Sequence, residues 1–305
     1  MVRPNFLIVG AAKSATSSLD RYIGQHPDVY IPPKKEAHYF STPDFPPRFE
    51  GPGDDGMNTE TIRDRDKYLA LFAGSEGYKA VGESSVFYLY YPRTAERIHA
   101  DFPQTKIIMM LRNPVDRAFS AYMHLIRDGR EQLSFEDSLA AEEQRLRSGF
   151  EPMWFYRELG LYAGQVERYL QVFGPKQVKV VLYDDFAMNP LGTVNEVFEF
   201  LGVNTTVSID TSLHHNESGV PKSRWMYDFI SKPNGVKELI KPLIPAMIRE
   251  RIGMKAKSMT LRREEMNPST RDQLQQFFVG DVRRLEKLIE RDLSRWLERN
   301  GGKRL

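Results

Sequence analysis

Apolar residues along the chain gather into short runs separated by amphipathic stretches. Phe6 to Val9 is one such run, ending at Gly10; Lys106 to Leu111 is a second, and QVKVVL, from Gln177, a third. Short β-rich runs of this kind fit strands buried in a parallel sheet. YKAVGESS, from Tyr78, offers a weaker strand that ends at a small polar turn. Between the strands the pattern predicts helices: one from about Ser14 to Gln25, and one capped by Thr59 that runs to about Phe72. Another opens at Pro114, whose missing N–H costs nothing at a helix start, and a fourth lies in NPLGTVNEVFEFLGV, from Asn189.

Strands alternating with helices imply right-handed crossovers and an α/β fold with a central, mostly parallel sheet flanked by helices. HPDVYIPPKKEAHYF, punctuated by Pro27, Pro32 and Pro33, reads as an irregular loop. STPDFPPRFEGPGDDGMN reads as a surface excursion. Beyond about Asp210 the strand signal stops. A broken loop follows, then helices, with Leu285, Leu288, Ile289, Leu293, Trp296 and Leu297 on one helical stripe. The expected organisation is one domain over residues 1–305. Its α/β core reaches about 205, and a lid loop and helical part follow from about 206.

Composition narrows the functional classes. The 305 residues carry 43 Lys+Arg against 41 Asp+Glu, a net charge of +2, too balanced to indicate a nucleic-acid partner. With no cysteine the chain has no disulfide, thiolate metal site or cysteine nucleophile. No stretch approaches the roughly 20 apolar residues that span a bilayer, and Phe6 to Val9 is too short for the core of a secretion signal. These features predict a soluble, cytoplasmic protein without a membrane span, and leave a homo-oligomer open.

Three segments carry candidate chemistry. In FLIVGAAKSATSSL a strand runs into a small-residue turn, a lysine and a helix N-terminus. The first N–H groups of a helix lack intrahelical partners, so this arrangement suits a phosphate or sulfate. It departs from the G-x-x-x-x-G-K-[ST] phosphate loop: Gly10 stands three residues before Lys13, and Ala12 replaces the glycine before the lysine. The plain alternative is a surface lysine at an ordinary helix start. A nucleotide kinase would also need a carboxylate for magnesium, and Asp184 could serve.

In LRNPVDRAFSAY, Arg112 falls at the carboxyl end of a buried strand, where open α/β sheets place ligands. Ser120 follows two helical turns later. A guanidinium there suits a second phosphate, unless it pairs with Asp116. In PKKEAHYF, Lys34 and Lys35 precede Glu36, with His38 two residues on. Beside a bound anion a lysine neutralises charge, and a carboxylate or histidine takes a proton from a hydroxyl. Next to Lys35, the Glu36 carboxyl is expected to sit low, as a weak base.

In this order, GAAKSATSSL, KEAHYF, GESSVFYLYYP and LRNPVDRAFSAYMH resemble the sulfotransferase family, in particular the heparan-sulfate-type enzymes and their soluble bacterial relatives. LGLYAGQVERYLQVFGPKQVKVVLYDDFAMNP, FEFLGV, HHNESGVPKSR and RDLSRWL extend the likeness over nearly the whole chain. The resemblance implies a P-loop-like nucleotide-binding core and transfer of a sulfuryl group from 3′-phosphoadenosine 5′-phosphosulfate (PAPS) to an acceptor hydroxyl. The product is the bisphosphate PAP, and no metal is needed.

By this likeness Lys13, with Ser14, Ala15, Thr16, Ser17 and Ser18, holds the 5′-phosphosulfate, and Arg112 with Ser120 holds the 3′-phosphate. Glu36 matches the base of the glycan enzymes, Lys35 the lysine beside it, and His38 the histidine base of small-molecule enzymes. Lys222, Ser223 and Arg224 match a loop that closes over the nucleotide. Two positions depart from the pattern: Ser84 follows Glu83 where glycan enzymes often carry lysine, and Ser223 replaces a glycine. A nucleotide kinase and a non-catalytic nucleotide-binding regulator remain the alternatives. A glycan, a lipid or a carrier-bound or small metabolite would each present a suitable hydroxyl. The loops expected to choose among them are Ser41 to Asn58, Phe150 to Leu159 and the stretch after Asp210.

Overall fold

The computed structural model describes residues 3–211 and 264–298, with the backbone alone at 220–221 and 261–262. The apolar runs become the strands of one parallel sheet: β1 (Phe6–Gly10), β2 (Val29–Tyr30), β3 (Ala80–Ser84), β4 (Lys106–Leu111) and β5 (Val178–Leu182), in the order β2-β3-β1-β4-β5. Phe6, Leu7, Ile8 and Val9 are wholly buried because helices cover both faces of the sheet. β2 lies inside the segment read as an irregular loop. Only two residues long, it is too brief for a periodic signal.

The helices are α1 (Thr16–Ile23), α2 (Asp55–Glu60), α3 (Arg65–Ala70), α4 (Thr94–Asp101), α5 (Pro114–Asp128), α6 (Phe135–Arg147), α7 (Tyr162–Phe173), α8 (Tyr183–Met188), α9 (Pro190–Leu201) and α10 (Pro268–Ile289). α1 and α9 enclose one face of the sheet, with Leu19, Ile23, Val197 and Phe198 against Phe6 and Ile8. Residues from α4, α5, α7 and α10 join Leu7, Val9 and Ile107 in the core on the other face.

Three sequence expectations change. The helix placed from Thr59 to Phe72 is two short helices, and the cap is Asp64, whose carboxylate accepts from Lys67 N; Thr59 instead donates back to Asp55 O. The C-terminal stripe is split: Glu290 turns left-handed at φ 53°, and Ser294–Leu297 form a 3₁₀ turn. Leu285, Leu293 and Trp296 are nonetheless all buried. Strand structure also recurs beyond Asp210, in the two-residue antiparallel pair Val220–Pro221 and Leu261–Arg262.

The surface excursion is likewise anchored. The buried Asp54 carboxylate accepts from Gly51 N (2.9 Å), Glu151 N (2.8 Å) and Trp154 Nε1 (2.9 Å), and pairs with Arg130. This hub fastens the loop through Gly51–Asp54 to the Glu151–Trp154 turn, two of the segments expected to shape an acceptor pocket. Trp154, Phe155 and Tyr156 are core residues, at most 5% exposed.

Candidate active site

Chain connections leave β1 toward β3 and leave β4 toward β5, so β1 and β4 flank the switch point, where the carboxyl ends of the strands open a crevice. Gly10 ends β1 there. A Cβ on it would lie 2.9 Å from Val86 O and 2.8 Å from Leu89 Cβ, so only glycine lets the loop lie against the turn after β3. Lys13 and Ala15 then take left-handed φ values of 68°. No side chain caps α1, whose N-cap is Ala15 and which begins directly after the loop that ends β1. Ser14, Thr16 and Ser18 are buried around it.

Cations converge on this loop. Arg112 Nη1 donates to Lys13 O (3.2 Å), and its guanidinium lies over the Tyr183 ring at 4.6 Å. Asp116 is not its partner, because that carboxylate accepts from Arg271 Nη2 at 2.8 Å. Burial, followed by repulsion from Arg127, Arg112 and Arg117 and opposed by Asp128, lowers the Lys13 ammonium to about 7. A lysine loses that much only where positive charge is crowded and poorly solvated, and a bound anion would relieve both effects. Ser120 is buried on α5, two turns past Arg112.

The base segment is tied to the turn after β3. Glu36 N donates to Ser84 O (3.0 Å), and Glu36 Oε2 accepts from Val86 N (2.9 Å). His38 N donates to Ser85 Oγ (3.0 Å), and His38 Nε2 lies 3.2 Å from Glu36 Oε2. These ties hold Glu36 and His38 at left-handed φ values of 56° and 52°. Such backbone is costly for residues with a Cβ and persists only where the surroundings over-determine it.

Glu36 and His38 therefore meet, but in unequal roles. The Glu36 side chain keeps 38% of its surface accessible, whereas the His38 side chain keeps 2%. The His38 ring stacks on Phe87 at 5.2 Å, and burial pulls it down to about 3, so it is neutral. Toward an ionised Glu36 it donates from Nε2. The Glu36 carboxyl moves opposite to the sequence expectation, with desolvation raising it to about 7 against the Val86 N–H and Lys35. Lys35 lowers it less than adjacency suggests, because its ammonium pairs with the buried Asp20 on α1 at 3.1 Å. Water reaching the accessible third of the side chain moderates the rise.

Lys13, Ser14, Ala15, Thr16, Ser17 and Ser18 thus follow the end of β1, where Arg112 from the end of β4 reaches Lys13 O, and Lys35, Glu36 and His38 lie against the end of the neighbouring β3. Lys222, Ser223 and Arg224 lie outside the described residues. Asp184, the candidate for magnesium, accepts from Trp296 Nε1 at 2.7 Å. The sequence reading passed over His124, Arg127 and Asp128. They stand at i, i+3 and i+4 at the end of α5, and all three interact electrostatically with Lys13.

The likeness to known proteins points the same way. A family model described as "Sulfotransferase family" matches residues 4–206. A sulfotransferase crystal structure from Alicyclobacillus acidocaldarius is 52% identical, covering 98% of this chain and 100% of that one with a TM-score of 0.80. Membrane-associated sulfotransferase kil1 of Dictyostelium discoideum is 23% identical over 66% of this chain and 56% of its own length. Heparan sulfate glucosamine 3-O-sulfotransferase 6 of Mus musculus is 29% identical over 67% and 54%. The chain spans about half the length of these two relatives. Mouse sulfotransferase SULT7A1 complexed with PAP, at 15% identity, shares the fold with a TM-score of 0.50 over 94% of this chain and 87% of that one. No described helix is long and apolar enough to cross a membrane. The chain belongs to the sulfotransferase family.

Proposed function

We propose that the enzyme moves the sulfuryl group of PAPS to an acceptor hydroxyl within a single domain. The observation that carries this reading is the pairing of the half-buried Lys13–Arg112 cation site with an accessible carboxylate, Glu36, at adjacent strand ends. Lys13 and the residues from Ser14 to Ser18 hold the 5′-phosphosulfate, and Arg112 and Ser120 the 3′-phosphate. Glu36 takes the acceptor's proton as its oxygen bonds to sulfur, and Lys13 faces the phosphate oxygen released when the bridging S–O bond breaks. Cations fixed before the reaction stabilise that charge without reorganising. The accessible Glu36 carboxylate favours it over His38 as the base.

Binding tests the nucleotide first. Calorimetry should show PAP binding without magnesium, and much more tightly than ATP or AMP. A preference for ATP with magnesium would put a kinase in its place. Arg112→Ala should then weaken PAP binding while leaving the turnover of bound donor largely intact, since the 3′-phosphate carries the same charge before and after transfer. An unchanged PAP affinity in that variant would remove Arg112 from the site.

A further inference from the structure

Behind the base lies a carboxylate with no part in the chemistry just described. Glu83 is the penultimate residue of β3, in the core and 1% exposed. Its Oε2 accepts from Ser85 Oγ (2.8 Å) and its Oε1 from Tyr68 Oη (3.3 Å). Ser85 is itself wholly buried, and its Oγ is the acceptor for His38 N at 3.0 Å. A serine hydroxyl has one hydrogen. While that hydrogen is held by Glu83, the oxygen must turn its lone pairs to the His38 amide.

We propose that Glu83 is a positioning residue for sulfuryl transfer, acting through Ser85 to hold the Glu36–His38 segment in its left-handed backbone with the Glu36 carboxylate in the crevice. The inference rests on Glu36 being the base.

Three features support this. The segment needs holding, because Glu36 and His38 both carry a Cβ at positive φ. Among the described residues the Ser85 hydroxyl is the acceptor for the His38 amide, a strap on the segment, and His38 in turn lies against the Glu36 carboxylate. Glu83 is also expensive to keep: burial raises its carboxyl to about 7, opposed by Ser85, Tyr88 and Tyr68 and reinforced by Glu36. The groups around it are Tyr68 from α3, Ser85 and Tyr88 from the turn after β3, Tyr169 from α7, and Glu36; none is a cation. An unpaired acid in the core that served packing alone would be replaced by an apolar residue at little cost. Here it fixes the direction of one hydroxyl.

The test compares Glu83→Gln, Ser85→Ala and the double variant, with Glu36→Gln alongside. Three quantities are measured: PAP release from PAPS with water as acceptor, PAP affinity by calorimetry, and hydrogen exchange at the His38 amide. Each single variant should lower turnover by roughly 10- to 100-fold, the scale of a misplaced catalytic group. PAP affinity should stay within about 2-fold, and His38 exchange should quicken by at least ~10-fold, the order of one lost buried bond. The double variant should be no worse than Ser85→Ala, because Glu83 acts through that hydroxyl. Losses that multiply in the double variant would overturn the proposal. So would unchanged exchange, or singles that turn over like the wild type while Glu36→Gln is inactive. Should Glu83→Gln not fold, Ser85→Ala decides by the same turnover and exchange. If Glu36→Gln keeps wild-type turnover, the base assignment fails instead; exchange then still reports whether the strap exists.

Discussion

Glu36→Gln is expected to fold, to bind PAP as the wild type does, and to lose at least ~100-fold in turnover, the scale of a missing general base. The amide keeps the size of the side chain and an acceptor for Val86 N, so the loss isolates the proton-taking oxygen. The pH profile of the wild type should show the same group. A base works deprotonated, and desolvation, moderated by water at the accessible part of the side chain, raises this carboxyl above its ordinary value. Turnover should therefore fall as pH drops, with a midpoint above the ordinary value of 4.5.

His38→Ala should cost much less. Its ring is buried, neutral and stacked on Phe87, and it steadies Glu36 without reaching the crevice. Steady-state rates across pH for both variants check this. An active Glu36→Gln beside an inactive His38→Ala would transfer the base to His38.

The parts of this site that the sequence disclosed are those whose signal is local. β1 and β4 announce themselves by unbroken apolar runs, and a strand's end fixes where the next polar residue goes. Lys13 and Arg112 were therefore legible as neighbours. The base segment was legible only in part. Glu36 and His38 were visible as candidates, but their difference comes from contacts with Ser84, Ser85, Val86 and Phe87, about 50 positions away.

The direction of the Glu36 shift was misread for the same reason. Lys35 is adjacent in the chain, whereas Asp20, which engages it, comes from another element. Left-handed backbone at Lys13, Ala15, Glu36 and His38 was also hidden, because no local rule puts a non-glycine residue there. α6 could have been found: Ser134 caps it and accepts from Asp137 N, with acids filling the first turn.

Lys13→Ala should lower turnover far more than it lowers PAPS binding. A loss of about 10²–10³ in kcat is the scale on which one preorganised group facing a developing charge acts. The phosphate gains charge as the sulfuryl group leaves, so the contact with Lys13 is stronger in the transition state than in the bound donor. Arg112 and the α1 N-terminus remain to hold the ground state. The lysine also leaves a signature that needs no turnover.

In the free enzyme its ammonium sits at about 7, so at pH 8 it is mostly neutral. A bound phosphate favours the charged form and raises that value, so PAP binding at pH 8 should draw up to one proton from solution. Calorimetry in two buffers of different ionisation enthalpy measures this uptake directly, and it should vanish in Lys13→Ala. If the wild type took up no proton, or the variant took up as much, Lys13 would not be the group that meets the phosphate. The charge on the leaving oxygen would then fall to Arg127 or His124, the cationic and titratable groups that share its surroundings.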